Sequence, residues 1–198
     1  YLIAKKHPEI GEIEYVKMLS KASNKLDDTL HHLNNVVSVV SSAEELQKIN
    51  LSEVVTAFSD TFQNLIEESK IWFLNEISEN VYVEAVPAFL ESIITNLLTN
   101  AIKYRDPDKE DSFVRISSRN FNGIVIIEIA DNGLGIDLEK YGEKLFGMYK
   151  TFHAHKDSRG LGLFLTKNQI ESMGGKIEVE SKIGIGSTFK VFLKDGNI

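Results

Sequence analysis

The sequence of 198 residues has no cysteine. That excludes a disulfide framework and a zinc–thiolate centre, and it suits a reducing, cytoplasmic compartment. Proline is scarce, with three residues (Pro8, Pro87 and Pro107), so long stretches are free of helix breakers. No apolar run approaches the roughly 18 residues of a membrane-spanning helix, and no direct membrane contact is expected. Positive charge is in the minority: 22 Lys and Arg stand against 29 Asp and Glu, for a net charge of −7. Nucleic acid is therefore not an expected partner, and any anionic ligand must be held by local positive features. The chain starts at Tyr1 rather than Met, as expected of a piece of a longer protein. What is present is ordinary for a globular protein: 42% apolar and 26% charged residues, with enough length for a sizeable core.

His7-Pro8-Glu9 reads as a helix start. From Ile10 to about Gln47, Leu19, Leu26, Leu33 and Val40 recur every seven residues, beside a second series of Ala22, Thr29, Val36 and Ala43. This is the seam of a coiled coil or helical bundle. At 1.5 Å per residue such a helix runs about 57 Å, so residues 1–47 are expected to form a dimerisation helix. Residues 48–198 read as a separate α/β domain. Lys48–Leu51 suggests a short strand, and Ser52 an N-cap for a helix to about Glu68. Ile71–Leu74 and Val81–Val83 read as strands. Pro87 opens a helix with Phe89, Ile93, Leu97 and Ala101 on its apolar face, ended by Asp106-Pro107-Asp108. Phe113–Asn120 and Ile124–Ala130 suggest a hairpin about Asn122-Gly123. A short helix over Leu138–Leu145, a polar stretch from Lys150 to Arg159, a helix from Gly160 to Met173 and a hairpin of Lys176–Ser181 with Thr188–Leu193 complete the reading. Together they predict a two-layer α/β sandwich, one mixed sheet with helices on one face.

Three segments carry chemistry. In Asn96-Leu97-Leu98-Thr99-Asn100-Ala101-Ile102-Lys103-Tyr104, helical spacing puts Asn96, Asn100 and Lys103 on one face. An Asn carbonyl oxygen suits Mg²⁺ and a Lys can reach a phosphate oxygen; a solvated polar strip is the plainer alternative. Asp131-Asn132-Gly133-Leu134-Gly135 directly follows an apolar strand. Its carboxylate can accept from an exocyclic amine such as that of adenine, and its glycines allow close backbone approach; an Asx turn would share the pattern. Ser158-Arg159-Gly160-Leu161-Gly162-Leu163 is a glycine-rich entry into a helix, where backbone amides can bind phosphate, with Lys150, Lys156 and Arg159 adding charge. A loop before a helix start would look the same.

The order of these segments resembles the ATP-binding fold shared by gyrase-type topoisomerases, heat-shock chaperones, mismatch-repair ATPases and sensor histidine kinases (the Bergerat-type fold) over roughly residues 48–194. Asn96-Leu97-Leu98 through Asn100-Ala101-Ile102-Lys103-Tyr104 is similar to the Asn box of histidine kinases, and Leu145-Phe146-Gly147-Met148-Tyr149 to their Phe box. The resemblance implies ATP and Mg²⁺ as cofactors. Asn100 would hold the metal and Asn96 support it. Lys103 and Tyr104 would contact the phosphate tail, and Phe146 would help set the lid over ATP. Asp131 would bind adenine, aided by Thr188 through water, while Gly133 and Gly135 close on the base. Arg159 would add charge, and Gly160, Leu161 and Gly162 would offer amides to phosphate. Ser158 replaces the first glycine of the family's second glycine box, and Gly147-Met148-Tyr149 stands where acidic-Pro-Phe is usual.

ATP-hydrolysing relatives carry Glu where this chain has Asn96. Transfer to a protein nucleophile is thus expected over hydrolysis: a histidine kinase of two-component signalling, acting on a histidine, with a response regulator as downstream partner and a homodimer formed through the N-terminal helix. An ATPase conformational switch and a catalytically silent scaffold are the alternatives. The helix carrying His31-His32 resembles the second helix of the kinase hairpin, because too few residues separate it from Lys48 for a returning helix. The phosphoacceptor is therefore expected upstream. His7, His153 and His155 read as loop residues.

Overall fold

The computed structural model describes residues 45–142, 145–147 and 161–197. Most of the expected dimerisation helix, and the stretch 148–160 with Arg159 and Gly160, lie outside the described residues. The end of that expected helix is corrected: Glu45 and Leu46 are not helical, and Gln47 already belongs to a strand.

The described residues form seven strands and five helices. Strand β1 (Gln47–Asn50) leads into helix α1 (Leu51–Thr61) and then α2 (Gln63–Ser69). Here Asn50, not Ser52, is the N-cap; its side chain accepts from the Ser52 N–H at 2.9 Å. Asn serves as well as Ser in that role, and the helix simply begins two residues earlier than the serine suggested. Strands β2 (Trp72–Glu76) and β3 (Tyr82–Ala85) precede helix α3 (Pro87–Lys103). Pro87 occupies the first turn of α3, where its missing N–H has no cost. Strands β4 (Phe113–Phe121) and β5 (Ile124–Asp131) follow. Their two-residue turn has Asn122 and Gly123 at φ 52° and 78°, the left-handed pair that matches the twist of a tight hairpin. Then come helix α4 (Leu138–Tyr141), helix α5 (Gly162–Ser172), and strands β6 (Lys176–Lys182) and β7 (Gly186–Lys194).

The main sheet runs β2-β4-β5-β7-β6. β2 lies parallel to β4 and the other pairs are antiparallel, so the sheet is mixed. The expectation of a single sheet is corrected: β1 and β3 pair with each other in a separate two-stranded sheet, tied to the main one by a bridge between Val83 and Asp195. One face of the main sheet carries Val114, Ile116, Val125, Ile127, Ile129, Val191 and Leu193, all buried. The apolar face of α3, including the four positions expected from spacing, is buried too. Removing this much apolar surface from water is the main stabilising term. It leaves the polar ends of α3 and α5, and the end of β5, grouped at one edge of the sandwich.

Candidate functional site

Asp131 is the last residue of β5 and lies opposite Ser187 of β7. Its carboxylate accepts from the Gly133 N–H at 2.8 Å and the Ser187 N–H at 3.3 Å. Burial dominates and pushes its pKa up to about 6; the two backbone bonds and the Lys109 ammonium pull the other way. A half-buried carboxylate is thus presented by a turn that is itself sealed. Asn132 accepts from the Phe113 N–H and donates to the Asp111 carbonyl. Lys109 donates to the carbonyls of Asn132 (2.6 Å) and Gly184 (2.9 Å), joining this turn to the β6–β7 turn. The Leu134 N–H bonds the Tyr104 carbonyl at the end of α3.

The glycines of this turn have a local reason. A methyl on Gly133 would collide with the Tyr104 carbonyl oxygen, and one on Gly135 with the Lys182 carbonyl. Both close approaches are to protein backbone, and Gly135 also holds φ 68°, which favours glycine.

The reading of Thr188 is corrected. Ser187 stands across from Asp131, and Thr188 across from Ala130. Successive side chains on a strand point to opposite faces, so Thr188 faces away from the carboxylate. Ser187 is buried, and its hydroxyl lies 2.9 Å from that of Ser181. Only the pairing register separates the two neighbours; the signal in the sequence was the adjacent hydroxyl pair itself.

The second half of the site lies between α3 and α5. The Asn96 Nδ2 donates to Thr166 Oγ1 at 2.8 Å, and the Asn100 Nδ2 to Asn96 Oδ1 at 3.4 Å. The two amides are thus coupled along one helix face, as expected. Gly162 lies so close to Asn96 that a methyl on it would strike Oδ1. α5 begins there: its N-cap is Leu161, whose side chain offers no acceptor, so the first amides of the helix must be met from outside it. These amides and the positive dipole end suit an anion. Lys103, in the last turn of α3, lies with its Nζ 5.7 Å from the Tyr104 ring. Lys167 stands at the same distance over Phe146, which links the Phe box to α5. Thr166 is the residue of this half that motif reading passed over.

The residues fit magnesium. Asn100 spends its NH₂ on Asn96, which turns its carbonyl oxygen the other way as a hard, neutral ligand. No group of three His, Asp or Glu side chains suited to a metal occurs among the described residues; a metal held at Asn100 would take amide oxygen from the protein.

A mixed sandwich with a sealed acidic turn at the end of one strand and a helix opening against paired amides defines an anion- and base-binding α/β domain. Residues 85–197 match the family described as "Histidine kinase-, DNA gyrase B-, and HSP90-like ATPase", and the chain belongs to it. It is 28% identical over 191 residues to the circadian input-output histidine kinase CikA of Synechococcus elongatus, covering 92% of this chain and 25% of that protein. It is 31% identical over 182 residues to cyanobacterial phytochrome B of Nostoc, covering 89% of this chain and 23% of that one. The chain thus spans about a quarter of the length of these relatives. Among solved structures, the catalytic domain of the histidine kinase ThkA matches with a TM-score of 0.65 at 27% identity, over 76% of this chain and 95% of that one. Full-length ShkA in complex with AMPPNP shares the fold, with a TM-score of 0.72 at 20% identity over 91% of this chain and 38% of that one. The domain is an ATP-binding catalytic domain of the histidine-kinase type. No helix among the described residues is long and apolar enough to cross a membrane.

Proposed function

We propose that this chain binds Mg²⁺-ATP and passes the γ-phosphoryl group to a histidine of a helical hairpin, of which residues 1–47 are the second helix and dimer contact. The full protein would then hand the phosphoryl group to a response regulator in the cytoplasm. The observation that carries this reading is the amide at Asn96. It sits beside the opening of α5 and is engaged by Thr166 and Asn100. A neutral amide is no base for water, so that position favours positioning over hydrolysis.

In the proposed complex, Asp131 accepts from the adenine amine, and Ser187, rather than Thr188, flanks it. Asn100, supported by Asn96, holds Mg²⁺, which supplies charge neutralisation to the phosphates. Lys103, Tyr104 and the amides at Leu161 and Gly162 face the phosphate tail; the same role is proposed for Arg159 and Gly160, which lie outside the described residues. Phosphoryl transfer has a loose transition state with charge spread over the phosphoryl oxygens. The protein therefore contributes orientation and fixed donors more than covalent chemistry. The bond from γ-phosphorus to the bridging oxygen breaks as the imidazole nitrogen bonds to phosphorus, and ADP leaves.

The test combines two readouts. Mg²⁺-ATP at 100 times its Kd should stabilise the chain by about 2.7 kcal/mol. With γ-labelled ATP, label should reach a supplied helical hairpin as acid-labile phosphohistidine and should not appear on the chain itself. Label at His31 or His32 would overturn the placement of the acceptor. Steady phosphate release that is lost in Asn96→Ala would overturn transfer in favour of an ATPase switch.

A further inference from the structure

The seam between α3 and α5 is paired from one end to the other. The Val86 N–H meets Met173 Sδ at 3.2 Å, Gln169 Nε2 donates to Ser92 Oγ at 3.3 Å, Asn96 Nδ2 donates to Thr166 Oγ1, and Gly162 abuts Asn96. Numbers rise along α3 as they fall along α5, so the helices run antiparallel. The seam ends with the start of α5 against Asn96, one turn before Asn100. Thr166 is 1% exposed. A hydroxyl buried that deeply is costly unless bonded, and an apolar side chain of the same shape would fill the space.

The hydroxyl has a directional effect that an apolar group cannot have. By accepting from Nδ2 it holds the NH₂ of Asn96 toward the second turn of α5, while Oδ1 lies beside Gly162 at the start of that helix and accepts from Asn100. Asn96 Oδ1 then draws the NH₂ of Asn100 toward itself, which turns the Asn100 oxygen outward. Thr166, Asn96 and Asn100 thus form one chain of hydrogen bonds, in which the hydroxyl acts as acceptor. Rotated by half a turn, the Asn100 amide would present N–H groups to a cation and repel it.

We infer that Thr166 is a positioning residue for the magnesium end of the site, acting through Asn96 on Asn100. The inference rests on the nucleotide reading above, and its test separates the two. The second polar pair of the seam, Ser92–Gln169, supplies the control. Gln169 is buried as Thr166 is, but it pairs with α3 a turn farther from Asn100, and its Oε1 has no partner among the described residues.

The experiment measures affinity by calorimetry for the whole chain in four forms: unsubstituted, Thr166→Val, Thr166→Ser and Gln169→Leu. ATP is titrated with Mg²⁺ and with a chelator, and adenosine without metal. Thr166→Val should lose roughly tenfold of the Mg²⁺-dependent gain in ATP affinity, the lower end of what an orienting partner is worth to a bound metal, while its adenosine affinity stays unchanged. Thr166→Ser and Gln169→Leu should keep the full gain. The inference is overturned if Thr166→Val keeps the gain, if adenosine affinity falls in step with it, or if Gln169→Leu loses as much. An unsubstituted chain that binds neither adenosine nor ATP would overturn the nucleotide reading instead.

Discussion

The two halves of the site are made of different materials. Around Asp131 the chain is sealed backbone to backbone, Leu134 on Tyr104 and Gly184 on Leu134, with the Lys109 ammonium tying two further carbonyls. Between α3 and α5 the geometry is set by side chains, Asn100 on Asn96 on Thr166. A main-chain seal is intolerant of added atoms, because its close approaches have no rotamer to yield. A side-chain ladder tolerates changes of chemistry without loss of fold, and its failures should appear in ligand binding alone.

The largest effect should come from breaking the seal. In Gly135→Ala the new methyl would strike the Lys182 carbonyl while the residue holds φ 68°. Gly184→Ala imposes a similar φ of 74° with nothing near the methyl. Left-handed backbone alone costs about 1 kcal/mol or a little more, whereas collision with backbone should bring Gly135→Ala to roughly 3 kcal/mol or beyond. Urea unfolding of the two variants decides it, and equal costs would mean that the turn is not sealed as described.

Next come the ligand-facing groups. Asp131→Ala should weaken adenosine and ATP alike by about 10- to 100-fold, the worth of a hydrogen bond to a charged acceptor. Asn100→Ala should remove the Mg²⁺-dependent gain and leave adenosine binding intact. The carboxylate also predicts a pH signature. Its folded pKa, about 6, lies above the ordinary carboxylate value of 3.8. The folded state therefore binds the proton more tightly, and stability falls as pH rises from about 3.8 to 6, by roughly 3 kcal/mol, before levelling off. Adenine needs the ionised acceptor. Affinity should weaken up to tenfold per pH unit below about 6, and binding near pH 6 should release a proton, which calorimetry in two buffers would detect.

A smaller effect is expected at Lys109, which serves the seal and the carboxylate together. Lys109→Met orphans two carbonyls, costing about 1–2 kcal/mol, and removes a charge that lowers the Asp131 pKa. The midpoint of the binding profile should move to higher pH. A stability loss with an unmoved midpoint would reduce Lys109 to a structural tie.

Much of this architecture was legible because its causes are local. Pro87 and the spacing of Phe89, Ile93, Leu97 and Ala101 specify α3 within its own 17 residues, and Asn122-Gly123 carries its hairpin in two. What escaped depends on partners distant in sequence. Asn96 and Thr166 are 70 positions apart, so nothing beside either residue announces their bond. The separate β1–β3 sheet follows from which strands can reach one another, a matter of tertiary packing rather than of strand propensity. The motifs drew the residues of the Asp131 turn together as a group, but not the reason for its glycines, which is protein backbone on the other side.

The finest distinction concerns Ser187 and Thr188, neighbours of nearly equal chemistry on opposite faces of β7. The register Asp131↔Ser187 and Ala130↔Thr188 places one hydroxyl beside the carboxylate and the other behind the sheet. Ser187→Ala should therefore lower adenosine affinity by a few-fold, about the 0.5–1.5 kcal/mol of a neutral hydrogen bond, and Thr188→Ala should not change it. Both variants keep the strand backbone, so the Ser187 N–H bond to Asp131 survives in each and the comparison isolates the hydroxyl. A reversed result would require β7 to slip by one residue against β5. Such a slip would turn Phe189, Val191 and Leu193 out of the core, and all three are buried.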